Sequence, residues 1–450
     1  MRFAVVNLGC KVNRVDSDTL AAALLGLGHE FVPAPDADAV LINTCTVTGE
    51  AEKKTRKAIR HALRENAQAT VFVTGCAAVI DPEGLAAISG RVVVEPDKLK
   101  AVALMDGRYA IDFEQTLRTG TGFPTRVGIK VQDGCDNACS YCIVNKARGA
   151  ATSRAFNDVT AEVERYAQAG ARELVLTGIN LGSYHDGENG LLQLLERLLE
   201  QTGEARLRLS SIEPCDVDVR LARLIAQAQG RICRHLHLPL QSGSAKVLKE
   251  MNRPYNAQEY FQTVEMLSQE IPGLSLSTDI IVGFPGETEE DFEATLEAAR
   301  RCAFSKIHVF PYSMRKGTPA AARLDQVPPH IKASRSARLI DLAKQLREAD
   351  FNARCGQIEL VLVERAGRGL TESYYHIPTP LEIPAGVLVP LEIKRAVDMP
   401  GAFIAENGEV ITDNMLDAMA ERHLSGNWDE AAIGKAIRGK PNILRTKTGM

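Results

Sequence analysis

Apolar and polar residues alternate in short runs over the first hundred positions, and the period of the runs switches back and forth. RFAVVNL, from Arg2, is apolar and β-branched and reads as a strand. DSDTLAAALLGLG, acidic at its start and with glycine at its end, reads as a helix. AVLINT is the next strand. EAEKKTRKAIRHALREN then takes up helical spacing, with Ala51, Ala58, Ile59, Ala62 and Leu63 on one side. TVFVTG and RVVVE complete the set. Strand and helix in alternation predict an open parallel sheet with helices on its faces.

Periodicity lapses in MDGRYAIDFEQTLRTGTGFPTR, where a domain boundary is expected. Six further strand-like runs follow, RVGIKVQ, ELVLTG, ARLRLSS, RHLHLPL, LSLSTDIIVGF and SKIHVFPYS, with helical stretches between them. That many βα units close naturally into a full or partial barrel, whose strand C-termini build the site. A long helix ends at Gly356. Beyond it the chain is rich in Val, Ile and Tyr with glycine and proline turns, and predicts a small all-β barrel. The fold class is therefore α/β: an N-terminal sheet domain (1–118), a partial (β/α) barrel (119–355), a small β-barrel (356–412) and an unassigned tail (413–450).

Composition changes this picture little. The chain has 450 residues, 45% apolar and 24% charged, as an ordinary globular protein does. No apolar run reaches the roughly 18 residues that span a bilayer, and MRFAVVNLGCKVN is too short in apolar residues for a secretory segment. No membrane association and a cytoplasmic location are expected. A net charge of −4 gives no global case for nucleic acid; a polyanion contact would need a local patch. One exists on the predicted helix with Lys53, Lys54, Arg56, Lys57, Arg60 and Arg64, which equally describes a solvated helix face.

The cysteines change it more. There are ten, too few for a disulfide scaffold, and in a reducing compartment patterned cysteines point to metal or catalysis. Cys10, Cys45 and Cys76 each sit just past a predicted strand. In an open parallel sheet those ends share one edge, where ligands bind, so the three can meet although 66 positions separate the outer two. Three unrelated buried cysteines is the alternative. Cys215, Cys233, Cys302 and Cys355 stand alone and read as small buried or half-buried residues.

Cys135, Cys139 and Cys142 form C-x3-C-x2-C after the first barrel strand. A closed site wants four ligands, and no further cysteine or histidine lies between Asp133 and Gly170. A 4Fe-4S cluster with three thiolates keeps one iron exchangeable. A zinc ion completed from afar by His235 or His237 is the other reading.

C-x3-C-x2-C with Tyr141 before the third cysteine resembles the signature of radical S-adenosylmethionine enzymes. That resemblance implies that the open iron chelates S-adenosylmethionine and that an electron from the cluster cleaves it to methionine and a 5′-deoxyadenosyl radical. It also implies that Thr177, Gly178 and Asn180 lie at the amino group of the cofactor, and Ser211 and Glu213 at its ribose. Strand-end residues that merely satisfy the backbone would look the same.

NLGCKVNRVDSDT, INTCTVTGEAEKKTRKAIR and TGCAA resemble the N-terminal domain of the methylthiotransferases. LPLQSGSAKVLKEMNRPY, DIIVGFPGETEEDF and FPYSMRKGTPA resemble that family's barrel, and GLTESYY its RNA-binding TRAM domain. The resemblance implies a second 4Fe-4S cluster on Cys10, Cys45 and Cys76, carrying the sulfur to be inserted. One S-adenosylmethionine would methylate that sulfur and a second would supply the radical that opens an unactivated C–H bond. LGCKVN, with Lys11 and Val12, resembles the subgroup acting on N6-threonylcarbamoyladenosine at position 37 of tRNA. Action on a ribosomal-protein aspartate or on N6-isopentenyladenosine is the alternative within the family, and a non-catalytic metal-containing RNA-binding protein the alternative outside it. The expected partners are tRNA with adenosine at position 37, a reducing electron donor and a sulfur source. Asn145 stands where the family usually has proline. The TRAM-like segment, residues 357–410, is acidic overall, which weakens RNA binding through bulk positive charge there.

Overall fold

The computed structural model describes residues 1–107 and 126–394. Part of the expected domain boundary, the end of the third domain (395–412) and the tail (413–450) lie outside them.

The first five strands are β1 (Arg2–Asn7), β2 (Glu30–Phe31), β3 (Ala39–Thr44), β4 (Thr70–Gly75) and β5 (Val92–Val94), interleaved with α1 (Lys11–Gly26), α2 (Gly49–Glu65) and α3 (Cys76–Ile80). They form one parallel sheet in the order β2-β1-β3-β4-β5. Ala39–Thr44 is buried at every position, as a strand covered on both faces must be. Val40, Ile42, Val71, Val73 and Ile59 pack one face, and Phe3, Leu20, Leu24 and Leu41 the other. The sequence pattern starts the first helix at Asp16; it starts at Lys11, with Cys10 at its N-cap. Asp16 caps nothing: it is buried in the helix interior and paired with lysines from elsewhere.

The second group comprises β6 (Arg126–Lys130), then α4 (Val144–Arg148) after the cysteine loop, β7 (Glu173–Thr177), β8 (Arg206–Leu209), β9 (His235–His237), β10 (Ser275–Val282) and β11 (Lys306–Pro311). β6, β7 and β8 pair in parallel, as do β9, β10 and β11. Parallel bridges Leu207–Ile232 and Ser211–His237 join the two sets. The result is a partial barrel whose strands follow chain order. Its outer face packs on amphipathic helices through residues such as Leu194, Leu198, Ile225 and Phe292. Inside, Glu173 is fully buried and accepts from Arg126, Arg206 and Arg208 at 2.6–2.8 Å, so the charges of that layer are paired, as burial demands.

The sheet and the barrel belong to one compact unit, Met1–Phe351. Helix α1 runs along β6. A Cβ on Gly128 would meet the Val15 side chain at 2.4 Å, so only glycine permits this approach. Asp16 receives Lys130 of β6 at 2.5 Å and also Lys98 and Arg148.

The remainder is a separate unit from Asn352, entered by the long helix α5 (Pro329–Arg354). Its described part is an antiparallel sheet of β12 (Ile358–Arg365), β13 (Arg368–Leu370), β14 (His376–Pro378) and β15 (Leu388–Glu392), in the order β14-β13-β12-β15. Buried Glu359 organises it, accepting from Arg354 and from the Ser373 hydroxyl.

Candidate active site

The first cysteine trio is built by three neighbouring strands. Cys10 follows β1, Cys45 follows β3 and Cys76 follows β4, at one sheet edge. Three buried polar side chains hold the loops together. Asn13 donates to the carbonyls of Leu8 and Thr44, both at 2.8 Å. Asn43 donates to the Asn13 carbonyl at 2.9 Å. The Thr44 hydroxyl donates to the Thr74 carbonyl and accepts from the Ala77 amide. Gly9, at φ +104°, admits Cys45 so closely that a Cβ would sit 2.6 Å from that of Cys45. The thiols sense one another. Burial pushes Cys45 up to about 11, with Cys10 and Cys76 adding to the rise. Burial also raises Cys76, opposed by the Arg148 guanidinium, which hydrogen-bonds it.

The second trio lies on the loop after β6. Ser140 donates from its amide to the Met251 carbonyl at 2.9 Å and from its hydroxyl to the Glu250 carbonyl at 2.7 Å. Asn252 donates to the Ala138 carbonyl. Burial pushes Cys142 up to about 11, and Cys139 and Cys135 add to it. Cys139 is buried; Cys135 and Cys142 are half-buried. Arg253 reaches this loop from the segment between β9 and β10. It donates to Cys139 Sγ at 3.2 Å and to the Tyr141 hydroxyl at 3.3 Å, and it pairs with Glu213.

The two trios are linked through Arg148, six residues past Cys142. It donates to Asp133 at 2.6 Å and to Asn13, and touches Asp16 at 3.5 Å. Burial would lower its proton affinity, but Cys76, Asp133, Cys10 and Asp16 raise it. One cation thus stands between the loop of one trio and the thiols of the other.

The remaining expected site residues divide. Glu213 joins the second trio through Arg253. The Gly178 amide donates to Ser210 Oγ at 3.2 Å, and the Ser211 carbonyl accepts from Leu181. The Asn180 amide group donates to Asp216 at 2.7 Å, and its carbonyl oxygen accepts from Gly182 and Glu213. The buried Thr177 hydroxyl donates to the Ile129 carbonyl. These last two side chains thus have loop and strand partners of their own. On α2, Lys53, Lys54, Lys57, Arg60 and Arg64 are exposed, but Arg56 is half-buried and bound to Asp81 and the Gly84 carbonyl. Cys215 is exposed, contrary to its sequence reading; Cys233 and Cys302 are buried and Cys355 half-buried. His235 and His237 both hydrogen-bond Ser277 inside the barrel, at 3.0 Å.

Residues 129–299 match the Radical SAM superfamily and residues 2–94 match Uncharacterized protein family UPF0004. The chain is similar to the threonylcarbamoyladenosine tRNA methylthiotransferase MtaB of Chlamydia pneumoniae, at 37% identity over 81% of this chain and 87% of that protein. It is equally similar to the MtaB of Bacillus subtilis (strain 168), at 37% over 75% and 79%. The chain belongs to the radical S-adenosylmethionine methylthiotransferases. This methylthiotransferase is also similar to a tRNA-2-methylthio-N(6)-dimethylallyladenosine synthase of Pelotomaculum thermopropionicum, at 33% over 81% and 86%. Among solved structures it shares a fold with the radical S-adenosylmethionine methyltransferase TsrM of Kitasatospora setae, at TM-score 0.53, 17% identity, and 71% and 77% coverage. It is an enzyme that transfers sulfur-containing groups, and its family implies a 4Fe-4S cluster and S-adenosylmethionine. The residues present fit. Each trio supplies three soft donors, and each has an arginine against it, Arg253 or Arg148, to balance an anionic cluster.

Proposed function

We propose that this methylthiotransferase places a methylthio group on carbon 2 of N6-threonylcarbamoyladenosine at position 37 of tRNA. In this reading Cys135, Cys139 and Cys142 hold the cluster that binds S-adenosylmethionine, and Cys10, Cys45 and Cys76 hold a second 4Fe-4S cluster. When bound, these groups supply a 5′-deoxyadenosyl radical and a methylated sulfur, with a second S-adenosylmethionine as methyl donor. The protein's part is to hold and shield. Asn13, Asn43 and Thr44 fix the first set of thiols. Arg253 sets the charge at the second set and orients Glu213. Tyr141, Thr177, Gly178, Asn180 and Ser211 belong to the cofactor's surroundings. The exposed lysines of α2, with Arg60, meet tRNA phosphates, and the C-terminal β unit acts as a TRAM-like RNA-binding domain. Position 37 lies in a single-stranded loop, where a base can be splayed out for recognition. An electron donor and a sulfur source complete the cycle.

The observation that carries this reading is the pair of three-thiol sites inside one compact unit, with Arg148 between them. The threonylcarbamoyl substrate is favoured by the MtaB relatives at 33–37% identity, with dimethylallyladenosine as the second reading from relatives at 33–35%. Nucleoside analysis of tRNA decides between them. A strain lacking the enzyme loses methylthio-threonylcarbamoyladenosine and keeps the unthiolated form. Loss of the methylthio dimethylallyl nucleoside instead rejects the proposed substrate.

A further inference from the structure

The inner face of the barrel carries a polar cluster that neither trio uses. Strand register sets His237 opposite Ser277 and Asp279 opposite His308, so these residues share one face of the sheet. On the other face of β10, Leu276, Ile280 and Val282 pack the apolar core. His237 Nε2 lies 3.4 Å from Asp279 Oδ1, and the His237 and His308 rings stand edge to face at 5.8 Å. The ligand atoms of all three lie within 4.8 Å of one another. Ser277 holds the His237 ring through Nδ1. His308 is exposed, yet desolvation presses its imidazole down to about 4. The charge of Lys11 is felt at Asp279, His308 and His235. Lys11 directly follows Cys10 of the N-terminal trio. One pleat further along the same face of β11 stands Phe310, 37% exposed.

We propose that Lys11, His237, Asp279 and His308 form the subsite for the N6 substituent of the target adenosine, selecting the threonylcarbamoyl group, with Phe310 against the purine. This rests on the proposed substrate and names what would recognise it. The substituent offers a carboxylate for Lys11, hydroxyl and urea N–H donors for Asp279, and a urea carbonyl that accepts from His308. A dimethylallyl group offers none of these and would leave desolvated donors and acceptors unpaired, which is how a hydrogen-bonding site rejects an apolar analogue.

The test is a fluorescence-anisotropy titration of the cluster-loaded full chain with anticodon stem-loops that differ only at position 37: threonylcarbamoyl, dimethylallyl or unmodified. The wild type binds the first at least about tenfold more tightly than the other two. Lys11→Met and His308→Leu each bring that ratio to about one, and Lys11→Arg keeps it. An unchanged ratio in both Lys11→Met and His308→Leu overturns the subsite. So does stoichiometric zinc in the wild type that His308→Leu loses, which marks a metal site. The nucleoside product separates the two levels. Methylthiolated dimethylallyladenosine from the wild type overturns the proposed substrate and the subsite with it. Methylthiolated threonylcarbamoyladenosine made by both variants at the wild-type preference overturns the subsite alone.

Discussion

Replacing Arg148 by methionine removes a cation that stands between the two cysteine loops. Its carboxylate partner calibrates the cost. Burial alone would raise Asp133, but Arg148 and then Lys130 hold it down, from an ordinary 3.8 to about 2. At 1.36 kcal/mol per pH unit, that shift corresponds to about 2 kcal/mol of native-state stability at neutral pH. Lys130 stays in the variant, so part of this survives; the buried contacts to Asn13 and Asp16 are lost in addition. Breaking a lone buried pair costs about 3–5 kcal/mol. Because Lys98 and Lys130 still serve Asp16, the expected loss is about 2–4 kcal/mol, seen as a Tm lower by about 5 °C. The sign with pH is fixed. A depressed carboxylate contributes its stability above its unfolded pKa and loses it as pH falls toward the folded value. The gap between wild type and Arg148→Met is therefore constant from pH 8 to about 5 and narrows below about 4. Calorimetric scans across this range measure it. An unchanged Tm at pH 7, or a gap that widens on acidification, refutes the reasoning.

Glu173→Gln leaves the fully buried Arg206 and Arg208 without their carboxylate and costs about 3–5 kcal/mol, read as a lower urea midpoint; a midpoint equal to that of the wild type contradicts the pairing. Burial opposes ionisation of Glu173, but Arg208, Arg206 and Arg126 hold its pKa well below the usual range, so its contribution is full above about pH 4.5 and disappears in acid. Arg253→Met removes a charged hydrogen bond to Cys139, and the cluster there becomes harder to reduce by about 60 mV in an electron-paramagnetic-resonance titration; an unmoved potential rejects that role. Exchanging Lys53, Lys54, Lys57 and Arg60 for alanine lowers the salt slope of tRNA binding by about 3 if each meets one phosphate, whereas Arg56→Ala weakens the helix contact to Asp81 and leaves the slope alone.

The parts visible in the sequence are those encoded locally. Cys10, Cys45 and Cys76 each follow a β-branched run, and a parallel sheet brings such ends to one edge whatever their separation in the chain. The six barrel runs were legible for the same reason. What the sequence hid is set by long-range packing. Arg253 lies 114 residues from Cys139, and Arg148 lies 135 from Asn13; nothing in local periodicity pairs them. Arg253 lies in the stretch ending MNRPY and Arg148 six residues past Cys142, and an arginine near a thiolate loop is the available signal. Asp16 misled because an acidic residue near a helix start usually caps it, and here three distant cations claim it instead. Arg56 reads like its neighbours on a basic stripe until Asp81, 25 residues on, binds it. Cys215 reads like any small core residue, but it lies in a turn just past Glu213 and faces solvent.

The count of iron in anaerobically reconstituted protein tests the two-site account most directly. The wild type is expected to hold about eight irons per chain, two clusters of four. The variant with Cys10, Cys45 and Cys76 changed to alanine is expected to hold about four, still to cleave S-adenosylmethionine, and to form no methylthio product. Four irons in the wild type, or a full complement in the triple variant, contradicts a separate cluster on the N-terminal sheet.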